Sequence, residues 1–280
     1  MWERRPTPTL PYPHTPIPSR GEIMSFEVQV LKMGQCDVAG PEVYWMSHWN
    51  DWVQLYFWMV VIRGNGKTAI INTGPQSDLT EMNARWSSGF GGRGKLLRDE
   101  SERPMNALAS IGLKPEDVDY VLITPIQIYA TGNIQLFKNA RICISKRGWI
   151  EDFHAEKFPM HVPRKLRISD ETLHYLMFEG HEKIQLLEDE DEIMPGLRCF
   201  WAGVHHRSSM VYMIDTAKGK VAVSDCVFKY KNIEEMEPLG IQESLEEFHI
   251  TCGRIKREAE IFIPLYEPEV LKRHPGGKIA

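Results

Sequence analysis

Val121-Leu122-Ile123-Thr124-Pro125-Ile126-Gln127-Ile128-Tyr129-Ala130-Thr131-Gly132-Asn133 decides how this chain is read. Val118 to Thr124 reads as a buried strand around the apolar Val121-Leu122-Ile123, and Pro125 to Asn133 follows it directly. Upstream, Leu55 to Arg63 is a second apolar strand. Gly64-Asn65-Gly66 then turns tightly into Thr68 to Thr73, which predicts a β-hairpin. Phe26, Val28 and Val30 alternate with polar residues, as in a half-buried strand. Between these come a Gly-rich loop (Gly89 to Gly94) and a helix predicted over Ser101 to Ile111.

The second half repeats the pattern. Ile142 to Ser145, Lys183 to Leu187, Leu197 to Trp201 and Ile261 to Pro264 read as strands. Met210 to Asp215 and Lys220 to Ser224 form a second hairpin across Ala217-Lys218-Gly219. Leu245, Phe248, Cys252 and Ile255 mark one face of an amphipathic helix. The acidic run Glu188 to Glu192 reads as a solvated turn before Met194-Pro195-Gly196. Strands interleaved with helices in both halves predict two sheets packed face to face with helices outside, although periodicity alone reaches no further than α/β or α+β.

Composition narrows the function classes. With 280 residues and no internal repeat, one large domain is expected. Hydrophobic residues at 42% and charged residues at 25% exclude a disordered or fibrous chain. Lys plus Arg is 33 against 38 Asp plus Glu, a net −5 that argues against a nucleic-acid partner. The five cysteines form no CxxC pair, which fits a reduced, cytoplasmic protein. Leu55 to Ile62 is too short to cross a membrane. Residues 1–24 form a Pro-rich arm without the apolar segment of a signal peptide. It reads as an extended strap across a neighbouring subunit, or otherwise as a tail, ahead of a single domain at 25–280.

Four segments, in order, resemble the metallo-β-lactamase superfamily, closest to its acyl-homoserine-lactonase-like branch. Ala69-Ile70-Ile71-Asn72-Thr73-Gly74 resembles the strand ending in Asp-Thr-Gly. Val121 to Asn133 sits where the family carries Thr-His-x-His-x-Asp-His-x-Gly-Asn. Gly203 to Ser209 stands at the place of Gly-His-Thr-x-Gly-Ser, with Val223-Ser224-Asp225-Cys226 at the later Gly-Asp-Ala. Ile263-Pro264-Leu265-Tyr266-Glu267-Pro268 resembles Ile-Pro-Gly-His-Asp-Pro. The resemblance implies an αββα sandwich of two mixed β-sheets flanked by helices, and a dinuclear zinc site for hydrolysis. At the ligand positions, however, this chain has Pro125, Gln127, Tyr129, Ala130, Val204 and Tyr266, and only Asp225 matches. Zinc needs about three or four nitrogen, sulfur or carboxylate ligands. Proline, alanine and valine offer none, so no metal and no cofactor are expected at the inherited site.

What remains is a polar cleft. His205 or His206 with Asp225 supplies a base and its orienter, and Tyr129 and Tyr266 supply donors for an oxyanion. Gln127 is expected to bind substrate, as are His48, Trp49 and Trp52 from the aromatic stretch Val43 to Trp58, read as a lid over the cleft or as a dimer contact. A one-residue shift of Gly203 to Ser209 leaves open a single-metal site rebuilt from a histidine and Asp225. Cys226 reads as a small buried hydrophobe rather than a nucleophile. The expected activity is metal-free opening of, or binding to, a small and partly apolar ester, lactone or other carbonyl compound. The alternative is an inactive partner subunit. A homodimer or higher oligomer is expected.

Overall fold

In the computed structural model, which describes residues 25–89, 92–154 and 167–280, the first hairpin opens a six-stranded sheet. Its strands are β1 (Glu27–Ala39), β2 (Trp52–Gly64), β3 (Lys67–Ile71), β4 (Tyr120–Leu122), β5 (Arg141–Ser145) and β6 (Ile184–Leu187), in chain order. β1 to β3 are antiparallel, and β3 to β6 run parallel. Asn65 and Gly66 close the β2–β3 hairpin with φ of 55° and 69°, the positive values that a two-residue turn of this kind requires.

The second sheet contains β7 (Glu190–Met194), β8 (Leu197–Trp201), β9 (Met210–Thr216), β10 (Gly219–Ser224) and β11 (Ile261–Pro264), in the order β11-β10-β9-β8-β7. Alternation along β9 divides the interior. Met210, Tyr212 and Ile214 enter the core between the sheets, whereas Val211 and Met213 pack outward. The helix Leu245–Glu258 covers that outer face with Phe248, Cys252 and Ile255, on the predicted stripe. Ser244 caps its first turn by accepting from the Glu247 N–H. The architecture is the expected αββα sandwich of two mixed sheets.

Two local expectations fail. Glu188 to Glu192 is no solvated turn: Glu190–Met194 is the edge strand β7, antiparallel to β8. An edge tolerates charge, and Lys146, Arg147 and Arg254 pair with Glu188, Asp189 and Glu190. The helix predicted over Ser101 to Ile111 is split into a 3₁₀ turn, Glu100–Glu102, and a helix, Pro104–Ala109. Pro104 lacks an N–H and favours the first helical position, so the helix starts there. The Pro-rich arm and its strap role lie outside the described residues. Among the described residues no helix is long and apolar enough to cross a membrane.

Candidate functional site

The loop after β4 is held by the loop after β3. Asn72 takes a left-handed φ of 62°, which asparagine tolerates better than most residues. Its amide clamps Thr124: the Thr124 N–H donates to Asn72 Oδ1 (2.9 Å), and Asn72 Nδ2 donates to the Thr124 carbonyl (2.6 Å). Asn133 Nδ2 donates to the carbonyls of Thr73 (2.9 Å) and Pro75 (2.8 Å). Gly132 is required here, because a Cβ would stand 2.1 Å from the backbone nitrogen of Gln76.

This bracing brings the ends of β4, β9 and β10 together at Asp225, which is fully buried. The carboxylate accepts a short hydrogen bond from the Thr124 hydroxyl, one from the Ser209 hydroxyl (2.6 Å) and one from His205 Nδ1 (3.0 Å). The Thr124 oxygen in turn accepts from the Met210 N–H (2.8 Å). Aromatic rings enclose the histidine: Phe228 lies 4.8 Å and Tyr266 6.1 Å from the His205 ring, and Tyr129 lies 6.0 Å from Tyr266. Burial, reinforced by the neighbouring Asp225 charge, pushes both phenols far above their ordinary range, so they remain neutral donors. Among the described residues Gln127 Nε2 is buried with no hydrogen-bond partner, and Tyr266 Oη finds none beyond the neighbouring Tyr129 phenol. Four of the sequence-predicted residues, His205, Asp225, Tyr129 and Tyr266, therefore share one neighbourhood, and Gln127 lies on the loop that carries Tyr129.

The lid residues are placed differently. His48 sits at a φ of 56° in the turn before β2. It bonds Asp51 through Nδ1 (2.7 Å), and its Nε2 faces Lys231 Nζ (3.4 Å) and Glu237 (3.8 Å). Trp49 is 65% exposed, and Trp52 lies beside the Arg93 guanidinium, 4.9 Å from its ring. Among the described residues no ring contact or hydrogen bond joins these three to the Asp225 neighbourhood. Strand alternation sends Phe57 inward instead, 5.2 Å from Tyr129 and 5.5 Å from Tyr266, and Trp86 lies 5.8 Å from Tyr129. Neither Phe57 nor Trp86 was singled out by the sequence as a site residue.

His206 turns to other partners, although its ring lies only 4.0 Å from that of His205. The imidazole is grouped with Asp152 and Glu243, donor atoms of all three lying within 4.8 Å of one another. Burial first, then His205, Arg167 and Arg207, push its pKa well below the ordinary histidine value, which leaves the ring neutral. Asp152 Oδ2 accepts from both the N–H (2.8 Å) and the hydroxyl (2.5 Å) of Ser208. Arg207 bonds Glu243 and also Glu247, with Nη1 at 2.9 Å from Glu247 Oε1. Burial raises the Cys226 thiol far above its usual value, so it stays protonated and is no nucleophile. Asp152 and Ser208 stand 56 residues apart, and no motif links them.

Solved structures share this architecture. An N-acyl homoserine lactone hydrolase with the product N-hexanoyl-L-homoserine bound at its catalytic metal center superposes with a TM-score of 0.71 at 17% identity, over 92% of this chain and 100% of that one. A B. thuringiensis AiiA variant with N-decanoyl-L-homoserine at its active site gives 0.71 and 17%, over the same shares of the two chains. A hydrolase of the β-lactamase superfamily, AbOPH, gives 0.62 and 15%, over 91% of this chain and 89% of that one. The chain thus has the metallo-β-lactamase fold. No protein-family model matches the sequence, and no curated protein matches it either.

Proposed function

We propose that this chain is a lactonase-like hydrolase homologue that has given up the dinuclear zinc centre. In this reading it acts without those metals on a small, partly apolar ester, lactone or other carbonyl compound. The donor chemistry supports the loss: Pro125, Ala130 and Val204 have no side-chain lone pair to give, and a glutamine amide is a poor substitute for imidazole. Asp225 alone cannot grip two ions, and its oxygens already hold two hydroxyls and an imidazole.

The observation that carries the reading is the buried His205–Asp225 pair with the Tyr266 ring 6.1 Å from the imidazole. With its Nδ1 proton on Asp225, His205 keeps a lone pair on Nε2, which makes no hydrogen bond among the described residues. Nε2 then takes a proton from a water or from a carbon next to a carbonyl, and Asp225 stabilises the imidazolium that results. Tyr266 Oη and Gln127 Nε2 donate to the developing oxyanion. A buried polar group left unpaired costs about 1–3 kcal/mol, a penalty that a bound carbonyl relieves. A small-molecule ligand and a second copy of the chain are the partners this reading carries.

The test is turnover of a panel of lactones and esters by chelator-treated protein. N-hexanoyl homoserine lactone heads the panel because a structural neighbour holds the corresponding opened product. His205→Ala and Asp225→Asn, confirmed folded by circular dichroism, are expected to lower the rate at least about 100-fold, the lower range for general-base loss. An unchanged rate in His205→Ala overturns the mechanism. The second reading, an inactive ligand-binding or structural subunit, is favoured by burial, since Asp225 is 0% and His205 only 4% exposed. Saturable binding with no turnover of any panel member supports it.

A further inference from the structure

We propose that Asp152, His206 and Glu243 form a new site for one divalent first-row cation such as zinc or manganese, beside the Asp225 network. None of the three occupies a position that the resemblance equates with a metal ligand. The donor set is one imidazole nitrogen and two carboxylates, a combination suited to these ions. Donor atoms of all three lie within 4.8 Å of one another, from segments 54 and 37 residues apart in sequence. Three donors each about 2.1 Å from one ion stand roughly 3 to 3.5 Å apart, so small side-chain rotations close the set.

Each donor is also available. Asp152 is buried and held by its two Ser208 bonds, both on Oδ2. Among the described residues Oδ1 makes no hydrogen bond, and Arg167 Nη1 is its ion-pair partner at 3.7 Å. An anchored carboxylate whose second oxygen makes only that longer ion pair can offer it to an ion. Neither ring nitrogen of His206 makes a hydrogen bond among the described residues, although the ring is half-buried. Glu243 is engaged by Arg207, but that guanidinium also grips both oxygens of Glu247. Glu243 can therefore turn to an ion while Arg207 keeps a carboxylate partner. The Glu243 backbone stays in place through its N–H bond to the Val204 carbonyl (2.6 Å). Gly148 lets the helical segment bearing Asp152 approach this closely: a Cβ there would stand 2.2 Å from Ser208 Cα.

The probe is zinc chloride, titrated calorimetrically into the full chain after stripping with a chelator, with cobalt(II) absorption as a second readout. One equivalent of zinc is expected to bind. His206→Gln and Glu243→Gln should each weaken binding at least about tenfold, the loss seen even when a ligand's outer partner is removed. Both should also change the cobalt spectrum. If His206→Gln fails to fold, Glu243, on the exposed rim, supplies the decisive variant. Absence of zinc binding, or binding indifferent to Glu243→Gln, overturns the proposal. Because the readout is binding, its failure is distinguishable from failure of the metal-free hydrolase reading.

Discussion

Asp225 and Asp152 are both buried aspartates beside the Gly203 to Ser209 loop, yet they are used differently. Asp225 spreads bonds over both oxygens, to Thr124, Ser209 and His205, and so ties three strand ends together. Asp152 gives both its Ser208 bonds to one oxygen, and its other oxygen faces the Arg167 guanidinium at 3.7 Å. A carboxylate hydrogen-bonded through both oxygens serves as architecture and as an orienter, whereas one whose second oxygen makes only a longer ion pair keeps room for a ligand.

The largest expected effect tests the first half of that contrast. Asp225→Ala leaves two hydroxyls and an imidazole facing a void, and removing one member of a buried charged network costs about 3–5 kcal/mol. Thermal unfolding should fall by roughly 10 °C, given about 2–4 °C per kcal/mol for chains of 150–250 residues. A melting temperature unchanged within experimental error would mean that Asp225 does not hold the strand ends.

Ser208→Ala probes the other aspartate with a smaller change. The substitution deletes the hydroxyl donor to Asp152 and the acceptor for the Ile126 N–H (2.9 Å), while the backbone bond to Asp152 survives. A loss of about 1–2 kcal/mol is expected by chemical denaturation, typical of one buried side-chain bond. A loss matching that of Asp225→Ala would erase the distinction between the two carboxylates.

How much of this was legible in the sequence depended on how local the signal was. Asn65-Gly66 and the Phe248, Cys252 and Ile255 stripe act over a few residues, so the hairpin and the outer helix could be read directly. The ordered segments of the resemblance located Asp225, and the Val204-His205-His206 run marked the right loop. Which histidine faces Asp225 could not be read, because Gly203 and Val204 both take positive φ (58° and 66°) and strand alternation does not apply there. Asp152 and Glu243 carried no signal, since their meeting with His206 depends on tertiary packing between segments without a common motif. For His48, Trp49 and Trp52 the limit is of another kind: aromatic density marks a surface or a core but does not say which cleft it faces.

The smallest stability change should come from Tyr266→Phe, and it separates a pocket from a packed centre. The Tyr266 ring packs edge-on against Phe57 (5.5 Å) and Phe228 (4.7 Å), contacts that phenylalanine retains. Among the described residues its hydroxyl has no partner beyond the neighbouring Tyr129 phenol, so removing it loses little and lifts a desolvation penalty. Stability without ligand should hold or rise by up to about 1 kcal/mol. If a carbonyl compound does bind beside His205, that same hydroxyl becomes a donor, and its loss should weaken binding or slow turnover by roughly tenfold, the equivalent of one hydrogen bond. A variant no less stable but poorer in function places the hydroxyl there for a guest. A variant no less stable and equal in function would leave Tyr266 as a ring that fills space once given to a metal ligand, and would favour the inactive-subunit reading.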